Sequence, residues 1–130
     1  MSSDILDQYL REVEIAIQGL EGSYVERYED EILLSNRADL RIRIRFQSGY
    51  LLELNEAIVA ESGSIIHLGY RYHFQDSQNQ LVFRYDNTPH FPGFKNFPHH
   101  KHLPDKVADV EEPSIFKIIE EVKLLTKQPR

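Results

Sequence analysis

Residues 39–46 read Asp39-Leu40-Arg41-Ile42-Arg43-Ile44-Arg45-Phe46, an unbroken alternation of apolar and charged side chains. Successive side chains of a β-strand point to opposite faces, so Leu40, Ile42, Ile44 and Phe46 share one side and Arg41, Arg43 and Arg45 the other. An α-helix would scatter both sets around its axis. The segment therefore predicts a strand with one face in a core and a row of guanidinium groups on the other.

The same two-residue period recurs on both sides, between turn signals at Ser35-Asn36, Ser48-Gly49, Ser62-Gly63 and residues 76–79. Ile66, Leu68, Tyr70, Tyr72 and Phe74 alternate with His67, Gly69, Arg71, His73 and Gln75, and the first set is expected to face the core. In residues 81–85, Leu81, Phe83 and Tyr85 oppose Val82 and Arg84. With hairpin registers that keep like faces together, Arg41, Arg43, Arg45, Arg71, His73 and Arg84 share one sheet face. Helical spacing appears at each end. Ile5, Leu6, Tyr9, Leu10, Val13 and Ile17 follow an N-cap expected at Ser3, and the pattern closes near Gly19. Ile115, Ile118, Ile119, Val122 and Leu125 follow Glu111, Glu112 and Pro113. The expectation is a single α+β domain over residues 1–130. It has about five mainly antiparallel strands, an N-terminal and a C-terminal helix on one face, and a long His/Pro-rich loop over about residues 87–112.

Composition narrows the function classes. The 130 residues suit one domain, and 41% hydrophobic with 28% charged side chains is ordinary globular usage. No run approaches a membrane span, and the first residues lack the blocks of a signal peptide, so a cytoplasmic protein is expected. Cysteine is absent, which removes disulfides, thiolate metal sites and a cysteine nucleophile. The net charge of −6 is unevenly spread: residues 1–36 carry nine acidic against two basic side chains, residues 37–110 eight against nine. A basic face can thus coexist with an acidic total. Phosphate-binding glycine loops, serine-nucleophile motifs and paired-carboxylate signatures are missing.

The candidate chemistry lies in residues 83–102, FRYDNTPHFPGFKNFPHHKH, which hold four of the six histidines. Histidine titrates near neutral pH and can act as acid, base, metal ligand or anion contact. Metal ligands recognisable from sequence usually share a helical face or sit in tight Cys/His knuckles, so no metal or other cofactor is expected here. Metal-independent RNA cleavage needs a base for the ribose 2′-hydroxyl, an acid for the leaving oxygen and cations for the phosphate. His99, His100, His102 and Arg84 are the catalytic candidates. Lys101, His73, Arg71, Arg43, Tyr85 and Asp86 are the substrate-binding candidates. Two other readings stay open: a non-catalytic module that binds RNA or protein, and a His-ligated metal-dependent enzyme. His67 reads as a hydrogen-bonded structural histidine, and Asp86-Asn87 as turn formers.

Residues 70–102, YRYHFQDSQNQLVFRYDNTPHFPGFKNFPHHKH, resemble the TumE family. Tyr72-His73, Phe83 to Asn87, Pro89-His90 and Phe97 to His102 carry the likeness, with weaker similarity over most of the chain. The resemblance implies a toxin of a type II toxin-antitoxin pair, with a small helix-turn-helix antitoxin as partner; it implies no particular catalytic residues. Glu26, Glu29, Asp30 and Glu31 are the surface expected to meet a basic antitoxin. RNA is the other expected partner, no membrane is expected, and a homodimer is compatible with the sequence.

Overall fold

A computed structural model describes residues 4–127, so the N-cap expected at Ser3 lies outside the described residues. Helix α1 (Asp4–Gln18) is followed by seven strands and by helix α2 (Ile115–Leu125). The strands are β1 (Ser23–Leu33), β2 (Arg37–Phe46), β3 (Leu51–Glu61), β4 (Ser64–Gln75), β5 (Leu81–Asp86), β6 (His100–Leu103) and β7 (Lys106–Asp109). They form one antiparallel sheet in sequential order, each strand paired with the next. Short turns join the strands everywhere except between β5 and β6, and Gly49 and Gly63 occupy two of them at φ 94° and 78°, where a side chain would be strained. No described helix is long and apolar enough to cross a membrane.

The alternation in residues 39–46 has the predicted consequence. Leu40, Ile42, Ile44 and Phe46 are buried with Leu52, Leu54 and Ile58 of β3 and Tyr72 and Phe74 of β4. Leu6, Leu10, Val13 and Ile17 of α1 and Ile115, Ile118, Ile119 and Val122 of α2 cover that face. Fully burying one such side chain contributes about 1.5 to 3 kcal/mol, so this single layer is the main source of stability. Ser114 caps α2, its side chain accepting from the Lys117 amide at 3.2 Å. The other sheet face has no helix on it among the described residues.

Three expectations are corrected. The sheet has seven strands, not about five, because the segment expected as a loop over 87–112 contains β6 and β7. Four-residue strands are too short to show a period, and they gain their hydrogen bonds only by lying beside β5. In β4, Ile66 and Leu68 are exposed rather than buried, at 42% and 49%. A register shift sets Ala57 opposite Gly69 but Ile58 opposite His67, so Leu68 is an extra residue and the parity inverts there. Leu125, expected on the buried face of its helix, is 55% exposed.

Candidate functional site

The helix-free face takes its chemistry from register. Arg71 on β4 faces Asp86 on β5, which faces His100 on β6; one pair along, His73 faces Arg84, which faces His102. Arg41 and Asn55 continue the first row, Arg43 and Glu53 the second. Neighbouring strands stand about 4.8 Å apart, so such rows bring side chains from several strands into contact.

At the centre, His100 Nε2 lies 2.9 Å from Asp86 Oδ1 and 3.1 Å from His102 Nε2. His102 Nε2 is 3.6 Å from Asp86 Oδ2. His100 Nδ1 stands 2.9 Å from the Pro98 carbonyl, which can only accept, so that nitrogen carries a proton. The Thr88 amide donates to Asp86 Oδ1 at 3.0 Å, an Asx turn that fixes the carboxylate. The side chains of His100, Asp86 and His102 are 1%, 9% and 21% exposed, so the cluster opens on the His102 side. His102 is held below the usual histidine range, by burial first and then by the Arg84 charge, against the opposing pull of Asp86. Arg84 Nε, 3.7 Å from Asp86 Oδ2, is buried with no hydrogen-bond partner among the described residues.

The segment between β5 and β6 folds against this cluster. The Phe91 ring meets His100 edge-on at 5.0 Å and stacks on Phe94 at 5.1 Å. Asp109 of β7 accepts from the Lys95 and Asn96 amides at 2.6 and 3.1 Å, which ties the segment down. Beside the cluster is a groove of about 350 Å³ lined by Arg41, Asn55, Gly69, Arg71 and Asn87, among others.

The arginine row is not a uniform cationic stripe. Glu26, at the β1 register shift, receives Arg43 Nε at 2.9 Å and Arg45 Nε at 3.3 Å, and Glu53 stands 3.7 Å from Arg43. The acids missing between the arginines in sequence come from the neighbouring strands. Arg41 and Arg71 form no ion pair among the described residues, and they flank the groove.

Of the residues predicted from sequence, Arg43, Arg71, His73, Arg84, Asp86, His100 and His102 share this face. Tyr85, Lys101 and His99 lie on the other side of the sheet. The Tyr85 hydroxyl donates to Glu121 of α2 at 2.7 Å, and Lys101 Nζ reaches the same carboxylate at 3.2 Å while lying over the Phe83 and Tyr85 rings. His99 Nδ1 is 2.8 Å from the Tyr70 hydroxyl, with the rings stacked, and its Nε2 is 4.0 Å from Glu112.

That second side holds a cluster that sequence reasoning missed. Glu56, its side chain wholly buried, accepts from the hydroxyls of Tyr9 and Tyr72 and faces His67 Nε2 at 2.9 Å. His67 Nδ1 meets Glu112 at 2.8 Å. Both hydroxyls are pushed far up, by burial first and then by the charge of Glu56, so they remain donors. A signal was present, since Glu56 occupies a core position between Leu54 and Ile58.

With the geometry in place, comparison with known proteins adds one finding: a family model described as Toxin TumE matches residues 10–127. No curated protein and no solved structure matches the chain.

Proposed function

The chain belongs to the TumE toxin family, and from that premise we propose that it acts by cleaving RNA on the helix-free sheet face. The observation that carries this reading is the register that sets Arg71 beside Asp86 and His100, and Arg84 beside His102. Phosphodiester cleavage needs an activated oxygen nucleophile and cations at the phosphate, where negative charge grows in the transition state. Asp86, His100 and His102 form the activating end, and Arg71 and Arg84 the phosphate-holding end. The groove along Arg41 and Arg71 gives the strand a path. A ribose 2′-hydroxyl is the nearest nucleophile to the phosphorus it attacks, which favours RNA over DNA.

As a type II toxin the protein has an antitoxin, read here as a helix-turn-helix protein. The supporting feature is strand β1, which among the described residues pairs only with β2 and carries the exposed Asp30 and Glu31. Glu26 and Glu29 contribute less, because they already hold Arg43 with Arg45, and Arg27, respectively.

The test is incubation of the purified protein with single-stranded RNA, structured RNA and DNA of the same sequence, with divalent metal and with EDTA. RNA is expected to be cut and DNA spared, with activity lost in Arg84→Ala and weakened in Arg71→Ala. Intact RNA in every condition, from protein whose circular dichroism shows it folded, removes the ribonuclease reading.

A further inference from the structure

The geometry points to Asp86, His100 and His102 as the ligands of one divalent first-row transition-metal ion. Its existence rests on ligand geometry; its use in cleavage rests on the ribonuclease reading above.

The three side chains already bring their ligand atoms close to the spacing a metal imposes. Ligands ~2.1 Å from an ion are about 3.0 Å apart at adjacent octahedral corners and about 3.4 Å apart in a tetrahedron. Here His100 Nε2 lies 2.9 Å from Asp86 Oδ1 and 3.1 Å from His102 Nε2, His102 Nε2 is 3.6 Å from the other carboxylate oxygen, Oδ2, and one ligand atom from each residue lies within 4.8 Å of the others.

Proton placement gives the second argument. The Pro98 carbonyl fixes a proton of His100 on Nδ1, which leaves its Nε2 pointing at an Asp86 carboxylate oxygen and at His102 Nε2. Metal-bound histidines characteristically donate their other ring N–H to a carbonyl or carboxylate, as His100 does to Pro98. The Thr88 amide fixes Asp86 in turn, and Arg84 stands toward Oδ2 while Oδ1 faces His100. The carboxylate can thus give one oxygen to the ion and leave the other beside the guanidinium.

The ligands sit on paired strands, where position is set by backbone ladders. His100 and His102 are two apart on β6 and so share a face, and Asp86 is the cross-strand partner of His100. A strand thereby achieves with His-x-His what a helix achieves with ligands four apart. Helical faces and Cys/His knuckles are therefore the wrong template for this spacing. Two imidazoles and a carboxylate without thiolate suit Zn²⁺, Mn²⁺, Fe²⁺ or Co²⁺ and disfavour Ca²⁺ and Mg²⁺, which take oxygen ligands.

The experiment uses the full chain without a histidine tag, stripped with EDTA, then titrated calorimetrically with Zn²⁺ and, for its visible absorption, with Co²⁺. One ion per chain is expected, with a rise in Tm on loading. His102→Gln, at the partly exposed ligand, and Asp86→Asn are each expected to weaken binding ~100-fold or more, beyond the losses typical of outer-shell changes. His99→Gln, across the sheet, leaves binding unchanged. A chain that takes up no zinc at micromolar concentration overturns the proposal, as does affinity unmoved by His102→Gln or lost equally in His99→Gln. Those results would mark His100 and Asp86 as a buried ion pair, or place the ion at Glu112. Zinc bound while RNA stays intact keeps the site and removes the ribonuclease reading. RNA cut at full rate by a chain that binds no zinc does the reverse.

Discussion

Glu56 shows how one side chain can bind helix to sheet. Its carboxylate gathers Tyr9 from α1, Tyr72 from β4 and His67 from the inverted end of β4. Glu56→Ala would strand the buried Tyr72 hydroxyl and two half-buried donors, and is expected to destabilise the fold by about 3 kcal/mol or more, with Glu56→Gln losing less. Urea denaturation of the two variants measures the difference. His67 adds a pH dependence. Burial lowers its pKa, but the hydrogen bonds and charges of Glu56 and then Glu112 outweigh that, and the net shift is upward. A raised folded-state pKa means the imidazolium stabilises the fold fully below the ordinary value of about 6.5 and loses that contribution as pH rises through the folded value. The urea midpoint is therefore expected to fall as pH rises above about 6.5, and His67→Gln to flatten that limb. An unchanged slope in the variant would assign the limb to another group.

Strands β5 and β6 each present two different chemistries, one to each face. Arg84 and Asp86, His100 and His102 point to the open side, while Tyr85 and Lys101 point under α2. Residues adjacent in sequence thus serve different purposes. Tyr85→Phe is expected to cost about 1 kcal/mol, the value of a net hydrogen bond, and to leave RNA cleavage within about twofold. A large loss of cleavage at unchanged stability would place Tyr85 in the reaction. The bulge in β4 is the other local device with wide effect. By inserting Leu68 it turns His67 inward toward Glu56 while Arg71 and His73 stay on the open face. Proximity in the pattern YRYH could not reveal this, because a bulge leaves no mark on the alternation that precedes or follows it.

Charge is organised across the sheet rather than along the chain. The total is −6, yet Arg41 and Arg71 flank the groove without an ion pair among the described residues, while Arg43 and Arg45 are paired with Glu26 and Arg43 also with Glu53. RNA affinity is expected to fall with salt, and Arg41→Ala or Arg71→Ala each to reduce the slope of log K against log salt by about one. Arg45→Ala should change it less, since its charge is already paired. Fluorescence anisotropy across a sodium chloride series checks this, and equal effects at all three positions would mean that the sheet acts as a diffuse cationic surface.

The alternation of residues 39–46 was sufficient to determine a half-buried antiparallel sheet, and helical spacing at each end determined what covers it, because both follow from the fixed periods of strand and helix. The motif from Tyr70 to His102 carried the family. Seven strands instead of about five, the inward turn of His67, and the pairing of Glu26 with two arginines emerged only on folding. So did the meeting of Asp86, His100 and His102. Each depends on which residue lies opposite which across neighbouring strands, and register is a property of pairs of segments that no single segment encodes.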